Sequence, residues 1–75
     1  MKYVLLTVSG GIIDEVTFYD EQVAAIRSLS EYVRAMDPEH NDAAVYGPYE
    51  MIANAKAFLD ENDQYRENPE VFEKI

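Results

Sequence analysis

A small α+β domain with the element order β-β-α-β-α is what this sequence predicts, and three observations carry the prediction. Two runs rich in Val, Ile, Phe, Tyr and Thr flank Gly10-Gly11, which reads as a hairpin. Apolar residues then recur at spacings of three and four from Val23 to Met36, the period of a helix buried along one stripe. Finally, Gly47-Pro48 follows a short AAVY run and separates one candidate strand from the next element.

In the hairpin, Val4, Leu6, Val8, Ile12, Val16 and Phe18 are apolar and even-numbered, with Asp14 as the exception. Side chains alternate faces along a strand, so the two apolar sets coincide only if paired residue numbers sum to an even number. A two-residue Gly10-Gly11 turn would pair Ser9 with Ile12 and separate the sets. A three-residue loop, Ser9-Gly10-Gly11, pairs Val8 with Ile12 and keeps them together, with Gly11 at the left-handed position. A phosphate-binding loop is not expected, because no G-x-G-x-x-G or G-x-x-x-x-G-K-[ST] pattern is present and a strand follows the glycines.

Asp20 is suited to the N-cap of the first helix. Its buried stripe is Val23, Ile26, Leu29, Val33 and Met36, with Arg27, Glu31 and Arg34 on the solvated side. Pro38 disfavours helix at Asp37, so the helix ends near Met36. After a polar PEHND loop, AAVY forms a third strand. Pro48 suits the first position of a second helix, with Ile52, Ala55, Phe58 and Leu59 as its buried stripe. Asn68-Pro69 then either caps a short C-terminal helical turn docking Val71, Phe72 and Ile75, or begins a tail that frays. A right-handed crossover through the first helix places the third strand beside the first. The expectation is a three-stranded sheet of order 2-1-3, both helices on the even face of the hairpin.

Composition limits the function. Seventy-five residues form one domain, 1–75, and a chain this size buries only about 60% of its unfolded surface. No cysteine is present, so neither disulfides nor a thiolate metal site reinforce the core, and oligomerisation is the remaining reinforcement. Six basic side chains stand against fifteen acidic ones, a net charge of −9. Such a surface repels phosphate backbones and anionic lipid, which argues against direct nucleic-acid or membrane binding. The opening MKYVLLTVSGG has too short an apolar run for a signal peptide or a membrane span. It is expected to belong to the fold, and the protein to be cytoplasmic.

Catalytic and metal-binding chemistry finds little support. His40 is the sole histidine and no cysteine accompanies it, short of the three or four ligands a zinc site uses. Counting an EF-hand loop from Asp60 puts Tyr65 where its Gly is needed and Val71 where its Glu is needed. Ser9, Ser28 and Ser30 lie in no nucleophile elbow. Asp14 falls on the apolar even face but close to the hairpin tip, where it reaches solvent. No cofactor, metal ion or catalytic residue is expected, and the chain does not read as an enzyme.

The odd face of the hairpin carries Tyr3, Leu5, Thr7, Ile13, Glu15, Thr17 and Tyr19. With the helices assigned to the even face, Tyr3, Leu5, Ile13 and Tyr19 form an uncovered apolar patch, the mark of an interaction site. The expected function is a non-enzymatic interaction or regulatory module that meets a second copy, as a homodimer, or another protein there. Two alternatives stand beside it. One is a small-ligand protein using the Tyr46–Tyr49 turn with His40. The other is an acidic mimic of nucleic acid, which would need the acids of 37–42 and 60–73 merged on one face.

Overall fold

The alternation that predicts the hairpin is realised as β1, Tyr3–Ser9, antiparallel to β2, Ile12–Tyr19. The structure, a computed structural model, describes residues 2–66. The turn departs from the expected three-residue loop. Ser9 faces Ile12, and Gly10 and Gly11 form the turn with φ of +59° and +82°. Two consecutive positive φ values are what a two-residue type I′ turn requires, and its twist matches that of the strands. Parity is restored further along instead. From Tyr3↔Tyr19 to Thr7↔Glu15 the paired numbers sum to an even value, and the register slips between Thr7 and Val8, where Asp14 is the extra residue. A bulge therefore does the work assigned to the loop. It also pairs Ile13 with Val8, which moves Ile13 to the even face.

The first helix, α1, spans Gln22–Ala35. Its N-cap is Glu21 rather than Asp20, and it makes no side-chain cap hydrogen bond; Ala25 N–H donates to the Glu21 carbonyl at 3.2 Å. Met36 is already extended (φ −81°, ψ 164°), ending the helix two residues before Pro38 as expected. The buried stripe is Ala25, Ile26, Leu29, Ser30 and Val33. Val23, expected inside, is exposed, and Met36 is half-buried.

The third strand, β3, spans Asn41–Tyr46 and runs antiparallel to β1, as the 2-1-3 order requires. Where a second helix was expected there is a fourth strand, β4, Met51–Asn54, followed by a single 3₁₀ turn, η1, Ala55–Phe58. Gly47 N–H donates to the Glu50 carbonyl at 2.8 Å, closing a turn that folds β4 back along β3. The free edge of β3 satisfies the backbone of Met51–Asn54, and this tertiary pairing overrides a stripe too short to tell helix from strand. The Asn54 side chain then accepts from Lys56 N–H at 3.1 Å and caps η1. Among the described residues, the sheet has order β2-β1-β3-β4, with one helix and one 3₁₀ turn on one face.

That face is the odd one, the reverse of the expectation. Leu5 and Thr7 of β1, Ala43 and Val45 of β3 and Ala53 of β4 are buried, packed with Ala25, Ile26, Leu29, Val33 and Phe58. Alternation defines two faces but does not say which one a helix covers. Both faces of this hairpin are apolar enough to be buried, and the direction in which the chain leaves β2 makes the choice.

Beyond η1, the polar DENDQYR segment is not a solvated helix end but a tight turn. Asp60 Oδ1 accepts from the N–H groups of Asn62 and Gln64 at 2.8 and 2.9 Å. Asp63 takes φ +60°, a conformation that Asp tolerates better than most residues. Leu59 bridges to Tyr65, whose hydroxyl hydrogen-bonds Ser30 of α1 and whose ring carries the Arg34 guanidinium 4.6 Å from its centroid. The C-terminal turn expected to dock Val71, Phe72 and Ile75 lies outside the described residues. Among the described residues, no helix is long and apolar enough to cross a membrane.

Candidate functional site

With α1 on the odd face, no helix among the described residues covers the even face of the sheet. Strand pairing arranges its side chains in three rows. Phe18, Val4, Tyr46 and Met51 form the first, Val16, Leu6, Ala44 and Asn54 the second, and Ile13, Val8 and Asp42 the third. Phe18 is 57% exposed, Ile13 60%, Met51 47%, Val16 46% and Tyr46 37%. Val4, Leu6, Val8 and Ala44 fill the middle, each half-buried by its neighbours. Asp42 and Asn54 are the polar members, both at the margin of the rows.

Strands about 4.8 Å apart and same-face residues about 6.8 Å apart give the nine apolar members of this face a footprint of about 300 Å², at the lower end of the largest patch on a typical monomer. Single exposed apolar residues are ordinary; nine arranged over one sheet face are not. The aliphatic run that sequence patterning assigns to the core lies outside, while the face with Thr7, Glu15 and Thr17 lies under the helix.

The residues singled out in sequence are dispersed by this arrangement. Leu5 is a core residue at 6% exposure, and Tyr3 and Tyr19 pack half-buried against the core. Of the four expected interface residues only Ile13 is freely exposed, and it belongs to the opposite face from Leu5. The expected site thus fails as a unit for one physical reason, the helix lying over it. Of what sequence reasoning missed, Val16 and Phe18 carried a signal in the even-numbered alternation of the hairpin, which points to the core, whereas Tyr46 and Met51 join the face only through strand pairing.

The ligand-site residues separate as well. His40 precedes β3 at the hairpin-tip end, where its carbonyl accepts from Gly10 N–H at 2.8 Å. Tyr46 and Tyr49 lie at the other end of the strand, and Tyr49 is 98% exposed, so the three do not line one pocket. A cleft of about 390 Å³ does open beside His40, between the hairpin tip and η1, over Val8, Met36, Ala55 and Leu59.

Around His40, ligating atoms of Asp37, Glu39 and His40 lie within 4.8 Å of one another, all three residues exposed. Their geometry is that of a loop organised by Asp37. One carboxylate oxygen accepts from Glu39 N–H at 3.0 Å and the other contacts His40 Nδ1 at 2.6 Å. The Asp37 carbonyl accepts from the N–H groups of His40 and Asn41 at 3.2 and 2.8 Å. The hydrogen bond with His40, then that from Glu39 N–H, hold the Asp37 carboxyl below its ordinary value, with burial opposing slightly and the His40 charge assisting. Both oxygens already have partners, so the group shapes the turn leading into β3. Compared with known proteins, the chain matches no family model, no curated protein and no solved structure.

Proposed function

We propose that this protein is a non-enzymatic interaction module that self-associates through the outer face of its sheet. The observation carrying the reading is the inversion of the hairpin: the more uniformly apolar of its two faces is the one left exposed. A second copy is the occupant that the molecule's shape favours. The fold is a slab of 32 × 29 × 18 Å, and stacking two slabs sheet to sheet produces a nearly isometric particle. The apolar footprint of about 300 Å² is under half of the roughly 800 Å² per partner of a standard interface, so the contact is of the weak, reversible class. The net charge of −9 opposes association, but among the described residues the rows of this face hold one acid, Asp42, beside the bulged Asp14.

Sedimentation or light scattering over a concentration series tests the proposal. The wild type is expected to double in mass, and Val16→Glu, in the central row, to stay monomeric, with a urea midpoint matching the wild type's at low micromolar protein, where association adds nothing. A wild type still monomeric at about 1 mM, where even a contact of about −4 kcal/mol is half formed, would end the proposal. Removal of residues 67–75 separates the remaining case. If only the shortened chain dimerises, the chain's own C-terminus occupies the face.

A second reading has one observation in its favour. Glu39 and Asp42 of the first acidic cluster and Asp63 of the second line the same cleft, so the two clusters converge as an acidic surface for a basic partner requires. Salt distinguishes the two: it screens a charge-driven complex and favours apolar association between like-charged copies.

A further inference from the structure

The outer face is not flat, and its relief suggests how two copies register. Ala44 is the smallest side chain in the central row, and a hollow of about 120 Å³ lies over it, walled by Leu6, Val8, Asp42 and Tyr46. Phe18 is the largest side chain of the face on the edge strand β2, which β1 flanks on one side only, and it is 57% exposed. Resting on the self-association reading above, we propose that the dimer is isologous and that the Phe18 ring of each copy seats in the hollow over Ala44 of the other.

The geometry permits this without further assumption. An isologous contact needs knob and hollow on the same surface, related so that one two-fold rotation exchanges them. Phe18 and Ala44 are two strands apart, about 9.6 Å, and one row apart, about 6.8 Å along the strands. The midpoint of that vector falls on β1 at Leu5, between Val4 and Leu6. A two-fold axis through it, in the plane between the sheets and perpendicular to the vector, carries each Phe18 onto the other copy's Ala44. The axis thus passes over β1, and the strands of the two sheets cross at about 70°, nearer to the orthogonal than to the aligned class of sheet packing.

Size and chemistry agree with the seat. A dry cavity of about 150 Å³ accepts a benzene ring, so a 120 Å³ hollow open on one side takes most of a phenyl group. Leu6, Val8 and Tyr46 offer apolar walls, and the electropositive ring edge can turn toward the Asp42 carboxylate. Buried aromatic anchors in fitted pockets carry most of the energy of interfaces. This seat would also fix register, which a uniformly apolar sheet face leaves open.

Complementation between two variants supplies the test. Phe18→Ala removes the knob, and Ala44→Leu fills the hollow. Each homodimer then carries its defect twice and should dissociate at least about tenfold more readily. Mixed together, the variants restore one intact seat and oppose a missing knob to a filled hollow. Native mass spectrometry of the mixture should therefore show the heterodimer well above its statistical half. Urea midpoints of both variants check that each remains folded, and Ala44→Ile replaces Ala44→Leu if the latter does not. A statistical mixture, or an Ala44→Leu homodimer tighter than wild type, overturns the seat while leaving self-association standing. A monomeric wild type removes both at once.

Discussion

Leu5 and Leu6 are adjacent in sequence, identical in chemistry and opposite in fate, so truncating each measures which face of the sheet is the core. Leu5 is 6% exposed and packs in the cluster that holds Ile26, Leu29, Val45 and Phe58. Leu5→Ala removes its buried methyls and leaves a cavity closed over by α1, at a cost of about 2–5 kcal/mol. Leu6 is half-buried on the outer face, where solvent fills the space a truncation leaves, and its loss should cost about 1 kcal/mol or less. A domain of this length holds about 4–11 kcal/mol in all, so Leu5→Ala should lower the melting temperature by about 10 °C or more. Urea denaturation followed by circular dichroism, at low micromolar protein so that association contributes nothing, compares the two. Raising the protein concentration should then enlarge the Leu6→Ala effect and leave the Leu5→Ala effect unchanged. Equal costs at low concentration, or a larger one for Leu6, would refute the placement of the helix and with it the exposed face.

Gly10→Ala and Gly11→Ala should each destabilise by about 1 kcal/mol in denaturant titrations, because both positions have positive φ while an added Cβ meets nothing within 4 Å at either; a cost at Gly11 alone would restore the three-residue loop. Thr7 Oγ1 is buried without a hydrogen-bond partner among the described residues, so Thr7→Val should raise stability by about 1 kcal/mol, and a loss of stability would mean that the hydroxyl is satisfied. Asp37 has a lowered pKa in the folded state, so its contribution to stability is present above the ordinary aspartate range and is lost as pH falls through the lowered value. A carboxyl-detected NMR titration should place its midpoint below that of an unperturbed aspartate, and His40→Ala should move it upward.

Local chemistry fixed much of this protein in advance. The Gly-Gly turn, the two strands beside it, the helix closed off before Pro38 and a third strand antiparallel to the first all follow from alternation, helical spacing and backbone preference. Even the demand for matched parity across the hairpin was legible, although the bulge at Asp14 meets it rather than the loop. Met51–Asn54 was not legible as a strand. Its four residues carry no period long enough to decide, and it became one because β3 had a free edge within reach of the Gly47–Glu50 turn. The candidate surface was hidden for a deeper reason. Alternation sorts Val4, Leu6, Val8, Val16 and Phe18 from Tyr3, Leu5, Thr7, Thr17 and Tyr19, yet exchanging inside for outside leaves that pattern unchanged. Apolar content would have put the first set in the core. The path of the chain from Tyr19 into α1 put it in solvent instead, because a single helix covers one face of a sheet and its direction of approach is a property of three dimensions.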